Sequence, residues 1–186
     1  MDFACRLYCS YIAWSYPCSR FSSFNFVTFV VPTGGGGLIS GITLAASAVS
    51  PANAVVGVQP EASQPMVQSH RAGRLIEVSH HPTLSEATAG GISPDTFRVV
   101  MDGVSLMIAV TEEQIAAAMR GLMLSEQLIV EGAGALPVAA VLAGKIPADL
   151  PRPLVLMLSG RNVDPEVILS VIDAGETGPE DGNSPS

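Results

Sequence analysis

Between Arg20 and Glu61 lie forty residues without a charge, and near their middle stands VVPTGGGGLISG, residues 30–41. A β-branched, apolar run enters four consecutive glycines, and an apolar run leaves them. Pro32, the glycines, Pro51 and Asn53 divide the uncharged stretch into pieces shorter than the ~18 apolar residues a membrane span needs. A membrane helix is therefore not expected. A buried parallel strand, a turn and a packed helix account for the same letters. Without Cβ atoms the turn can approach a ligand closely, and the following helix presents N–H groups and its positive dipole end. An anion such as phosphate suits that arrangement, whereas a tight turn serving only close helix packing is the plainer alternative. A nucleoside-triphosphate loop would require Gly-Lys-Ser/Thr, but Leu38 and Ile39 follow Gly37. A dinucleotide loop would require a further Gly or Ala three places on, where Ile39 or Ser40 stands; it would also use Glu61 to hold a ribose.

The rest of the chain alternates in the same way. Strands are expected at Val27–Val31, Ala54–Val58, Leu75–Val78 (weakly), Val104–Val110 and Leu154–Leu158. Helices are expected at Leu38–Val49, Pro65–Ala72 and Glu131–Ala143, the last built from very small residues. Thr83 and Glu86 have capping-box spacing and predict a short helix up to Gly90; Thr111 and Gln114 predict another, with Ile115, Met119 and Leu122 on one face. Asp164 followed by Pro165 opens a final helix. Short strands, apolar on both faces and alternating with helices, predict an α/β fold: a three-layer, mostly parallel sheet covered on both sides. No internal repeat is visible.

Composition restricts the partners. With 48% hydrophobic residues and a mean hydropathy of +0.41, the chain can offset the entropy of ordering. A net charge of −8 disfavours nucleic acid and anionic membrane surfaces. Nine of the ten aromatic residues fall within the first 29 positions, and Cys5, Cys9 and Cys18 lie there too. Residues 1–25 thus differ from the remainder of the chain and are expected to be an irregular leader outside the fold; they lack the basic start and apolar centre of a signal peptide. The C-x3-C-x8-C spacing has no neighbouring histidine and does not read as zinc ligation. Residues 26–173 are the expected folded unit, and the Gly, Pro, Ser and acidic residues of 174–186 read as a disordered tail. Few cysteines and no convincing signal point to the cytoplasm.

Taken in order, VVPTGGGGLISG, AVVGVQPE, TLSEATAGG, VEGAGA and LSGRNVD resemble the C-terminal half of fold-type II pyridoxal-phosphate enzymes, and especially threonine/serine dehydratases (ammonia-lyases) and serine racemases. The resemblance covers about residues 26–173. It implies part of the large domain of a tryptophan synthase β-like enzyme, with pyridoxal 5′-phosphate as cofactor. It implies that Gly34, Gly35, Gly36 and Gly37 hold the cofactor phosphate, that Ser159 faces the pyridine nitrogen, and that Glu131, with Gly132, Ala133 and Gly134, lines the ring. A hydroxyl rather than a carboxylate at that nitrogen suits β-elimination over transamination. The implied reaction converts threonine or serine to a 2-oxo acid and ammonia, in a longer parent expected to be a homo-oligomer.

The chain also departs from the family. These enzymes hold their cofactor as a Schiff base to a lysine in the N-terminal half, and no such segment is present. The one lysine, Lys145, follows a helix and is expected at the surface, far from the ring. No catalytic residue is therefore assigned, and the chain alone is expected to be inactive. Arg161 stands where a second glycine is usual and is expected to crowd its turn. Gln59 replaces an acid that binds a divalent cation in some relatives, with Pro65 near the second ligand position, so no metal site is assigned. The alternative is a non-catalytic protein that binds a phosphorylated ligand or a partner.

Overall fold

Four parallel strands in the order β3-β2-β1-β4 form the centre of the computed structural model, which describes residues 26–79 and 81–174. The strands are β1 (Thr28–Pro32), β2 (Ala54–Pro60), β3 (Leu106–Val110) and β4 (Leu154–Leu156). The register pairs Val30 with Val56 and Leu156, and Val56 with Leu106. All three pairings are parallel, so the carboxyl ends of the strands collect at one edge of the sheet. Both faces are covered, which explains why every residue of β2 is buried and why the strands do not alternate polar with apolar.

Helices α1 (Gly37–Val49), α2 (Pro65–Ala72) and α3 (Pro94–Gly103) lie on one face. There Ile39, Met66 and Val100 pack with Val31, Val55 and Met107. The other face carries α4 (Glu112–Glu126), α5 (Gly132–Leu142) and α6 (Pro165–Asp173). Ile115, Met119, Leu122, Leu136 and Val171 pack there with Val30, Val58 and Val110. Odd and even positions of each strand thus serve different layers, as the two-residue period requires.

The start signals behave locally. Thr111 Oγ1 accepts from the N–H of Gln114 at 3.3 Å, and Thr111 N–H donates to Gln114 Oε1 at 3.0 Å, completing the capping box of α4. Asp164 Oδ1 accepts from the N–H of Glu166 at 3.0 Å, with Pro165 at the first position of α6. Three expectations are corrected. Residues 75–78 form no strand: their β-branched letters suit one, but no partner strand lies beside them. Thr83 does not cap a helix with Glu86: its hydroxyl donates to Glu112 Oε1 at 2.6 Å, and only a 3-10 turn, Glu86–Thr88, follows. A whole helix, α3, stands where none was expected, although Ser93 caps it by accepting from Thr96 N–H at 3.2 Å and Pro94 occupies its first turn. The leader of residues 1–25 and residues 175–186 of the expected tail lie outside the described residues.

Candidate functional site

The carboxyl end of β1 opens into a cavity of about 230 Å³. Thr33 N–H donates to Val58 O at 2.9 Å, prolonging the β1–β2 ladder by one rung, and its hydroxyl turns back to Val31 O at 3.2 Å. Gly34–Gly37 then cross above the strand ends and enter α1. Gly36 is the residue before the helix and has φ 94° and ψ 0°, a left-handed conformation natural to glycine. The N–H groups of Gly37, Leu38 and Ile39 begin the helix and so have no partner one turn back. No acceptor among the described residues meets those of Gly35, Gly36 or Gly37.

The other side of the loop is packed. A Cβ on Gly34 would lie 3.0 Å from Thr88 Cα, and one on Gly35 would lie 2.7 Å from Gly91 O. Only Gly37 would meet nothing within 4 Å. Gly35 is thus required by the approach of Gly91, Gly36 by its positive φ and by Met66 and Thr96, and Gly34 sits tightly against Thr88, while Gly37 is required by neither space nor backbone angle. The chain leading into segment 87–96 is fastened from the opposite face. The Glu112 carboxylate, in the first turn of α4, accepts from Thr83 Oγ1 at 2.6 Å and from Leu84 N–H at 2.8 Å. The buried Ser85 and Thr88 then bond each other, with Thr88 Oγ1 donating to Ser85 O at 2.7 Å.

The opposite wall comes from α5 and the chain after β4. Glu131 precedes α5, but its side chain does not cap the helix; the carboxylate packs against Gly160. Gly132 leaves room for the Leu84 carbonyl, and Gly134 for the Ser159 carbonyl. These contacts bring Ser159 to the same cavity as Glu131 and Gly34, Gly35, Gly36 and Gly37, so all six expected site residues line one space. Among the described residues no group bonds the Ser159 hydroxyl. Thr33, Ala87, Thr88 and Ala133 line it too, and of these only Ala133 falls in a segment that the sequence marks as facing the ring. The TAGG end of TLSEATAGG is the available signal for Thr88.

Other expectations need revision. Gly160, with φ 83°, takes the left-handed position, so Arg161 does not crowd the turn and instead lies exposed. Lys145 is not simply at the surface. Its Nζ donates to Ala109 O at 2.7 Å and to Glu61 Oε1 at 3.4 Å, with 30% of the side chain exposed, and it lines no part of the cavity. Glu61 is thereby occupied with a cation rather than poised for a ribose. Gln59 is fully buried, and its Oε1 accepts from Val67 N–H at 2.9 Å. Its Nε2 meets no partner among the described residues. No helix among the described residues is long and apolar enough to cross a membrane.

A doubly covered parallel sheet with an amide-lined cavity at its carboxyl edge is the general plan of α/β proteins that hold phosphorylated ligands. Residues 21–160 match the family described as pyridoxal-phosphate dependent enzyme, and the chain belongs to it. Over 147 residues it is 41% identical to the L-threonine ammonia-lyase of Thermotoga maritima, covering 78% of this chain and 36% of that protein. Its structure is similar to the T.th. threonine deaminase, with TM-score 0.69 and 37% identity over 74% of this chain and 50% of that one. Maize serine racemase gives TM-score 0.73 and 26% identity over 84% of this chain and 49% of that one. The chain spans about a third to a half of the length of these relatives.

Proposed function

We propose that residues 26–173 are the phosphate- and ring-holding portion of a pyridoxal-phosphate-dependent threonine/serine ammonia-lyase, whose full-length form converts a β-hydroxy amino acid to a 2-oxo acid and ammonia. The observation that carries this reading is the convergence of the Gly34–Gly37 amides and the Ser159 hydroxyl on one cavity. The residues fit the cofactor. At one end, unpartnered N–H groups and the positive end of α1 match a phosphate dianion. At the other, a neutral hydroxyl donor matches a pyridine nitrogen that stays unprotonated, and Ala133 offers an apolar surface to the ring. Bound, the cofactor supplies an electron sink for loss of the substrate Cα proton.

What this chain contributes is binding and orientation. Gly34, Gly35, Gly36 and Gly37 anchor the phosphate, Ser159 sets the ring's hydrogen-bond partner, and Glu131 and Ala133 limit its tilt. Among the described residues none is assigned to take the Cα proton: Lys145, the single lysine, is held by Ala109 and Glu61 and does not line the cavity. The chain alone is therefore expected to hold cofactor without turnover. The test is titration of the full chain with pyridoxal 5′-phosphate, followed by assay of 2-oxo acid release from threonine and serine. Saturable, phosphate-dependent binding with no product is expected; absence of binding would overturn the site, and product formation would overturn the inactivity.

The engagement of Lys145 favours a second reading, a non-catalytic phosphate-binding protein. The native mass separates the two. A species much heavier than 19.2 kDa carrying residues 104–173 supports the lyase parent, whereas one at 19.2 kDa supports the binding protein.

A further inference from the structure

The first turn of α3 reaches the back of the glycine loop. Thr96 Oγ1 donates to Gly35 O at 2.7 Å, from 61 positions away in sequence. The same residue's carbonyl accepts from Ser40 Oγ, on α1, at 3.4 Å. Thr96 also occupies the space beside Gly36, where a Cβ would come within 2.9 Å of Thr96 Cβ and 2.8 Å of Met66 Cε. Thr96 Oγ1 also has Ser93 O within reach at 3.1 Å, but the Gly35 oxygen is the nearer acceptor of its one proton, and the Ser93 hydroxyl, 3.1 Å away, can donate to it.

In a trans peptide the C=O and N–H point in opposite directions. With the Gly35 oxygen drawn toward α3, the Gly36 N–H is turned away from α3, which contributes no residue to the cavity that Gly36 lines. Glycine occupies both signs of φ at little steric expense, so a Gly-Gly peptide without this bond could rotate and present its oxygen to the cavity instead. An oxygen there repels an anion, and an N–H attracts one. Building on the phosphate-cradle reading of the loop, we propose that Thr96 is a positioning residue that locks the Gly35–Gly36 peptide with its N–H toward the cavity and so selects a phosphate monoester. Thr96 need not touch the ligand to do this.

The experiment compares the full chain with Thr96→Ser, which keeps the hydroxyl, and Thr96→Val, which replaces it by a methyl group. The probes are 4-deoxypyridoxine 5′-phosphate, which has ring and phosphate but no aldehyde, and 4-deoxypyridoxine without phosphate. Loss of the bond is expected to weaken the phosphorylated probe about ten-fold in the valine variant, with the serine variant within about two-fold of the parent. The unphosphorylated probe is expected to bind all three alike. Equal weakening of both probes, or none, overturns the proposal. Thr96→Ala carries the same expectation if the valine variant does not fold.

A second readout needs no ligand. The 15N order parameter of Gly36 is expected near ~0.85 in the parent and serine variant, and below ~0.6 without the hydroxyl. If the parent binds neither probe, the proposed function fails. The lock is then decided by this measurement alone: a fall only in the variants without a hydroxyl supports it, and an unchanged value overturns it.

Discussion

Helices α1 and α5 are chemically alike and structurally unlike. Each starts at the cavity, each is built of small and aliphatic residues, and neither carries a charge. They lie on opposite faces of the sheet. In α5 the nine residues Gly132–Ala140 are all buried, because the sheet lies beneath it and α4 packs alongside. In α1 only Ile39, Ser40, Thr43 and Ala46 are buried, while Leu38, Leu44 and Val49 are exposed. Small residues therefore do different things in the two helices. Along α5 they admit backbone at close range, including the carbonyls of Leu84 and Ser159. Along α1, a Cβ at Gly41, or at Gly37 where the helix meets the cavity, would meet nothing within 4 Å among the described residues. A helix that is apolar all round is normally buried on every side, so α1 presents an apolar surface that none of the described residues covers.

The largest expected effect tests the α5 side of this contrast. Leu136→Ala removes a fully buried side chain from the α4–α5 layer and is expected to destabilise by about 2–5 kcal/mol in denaturant unfolding. A loss no larger than that of a surface substitution would mean that α5 is not enclosed. Gly35→Ala comes next. Its methyl group would press on the Gly91 carbonyl, 2.7 Å away, at about 1–3 kcal/mol by the same measurement.

Gly37→Ala sharpens the contrast within the loop. Nothing lies within 4 Å of its Cβ position, so stability is expected to stay within ~0.5 kcal/mol. If the loop holds a phosphate, affinity for 4-deoxypyridoxine 5′-phosphate is nevertheless expected to fall. Unchanged affinity would mean that Gly37 takes no part in holding the phosphate. Leu44→Gln, on the bare side of α1, is expected to change stability by less than ~0.5 kcal/mol because Leu44 is already 62% exposed. A loss above ~2 kcal/mol would show that this surface is covered in the native protein.

The smallest effect concerns pH. Glu113 is fully exposed, and its carboxyl is held below the usual glutamate range by the Thr111 hydroxyl and by its own backbone N–H. A depressed folded-state pKa adds stability that is present above the unfolded value of about 4.5 and is lost as pH falls through the folded value. A 13C titration of Glu113 should have its midpoint below that of a free glutamate, and Thr111→Val should raise it. An unaltered midpoint in that variant would remove the hydroxyl as the cause.

Some features are local and therefore legible. Strand–helix alternation predicts a parallel sheet covered on two faces, the capping pairs Thr111–Gln114 and Asp164–Pro165 fall where expected, and the ordered motifs name six of the residues that line the cavity. Helix α3 is equally local in its signals: Ser93 and Pro94 mark its start, and Phe97, Val100 and Val104 recur at helical spacing on the face turned to the sheet. Within the helix Val100 is the one fully buried residue, with Phe97 partly buried in the same cluster. Thr83, by contrast, misleads. Its spacing to Glu86 suits a capping box, but its hydroxyl donates to the Glu112 carboxylate, which also accepts from Leu84 N–H.

The period of each element, the apolar character of both sheet faces and the absence of side chains at the glycine turn are written in the order of the amino acids, because they depend on neighbours a few residues apart. That Gly34, Gly35 and Gly36 sit tightly against distant segments while Gly37 does not follows from the packing of the whole molecule. The same packing decides that Thr96 bonds Gly35 and that Lys145 is bound to Ala109 rather than facing the cavity. The physical reason is reach. A hydrogen bond needs its two atoms within about 3 Å, and whether residues 61 or 36 positions apart come that close depends on how helices cross the sheet, which no local pattern encodes.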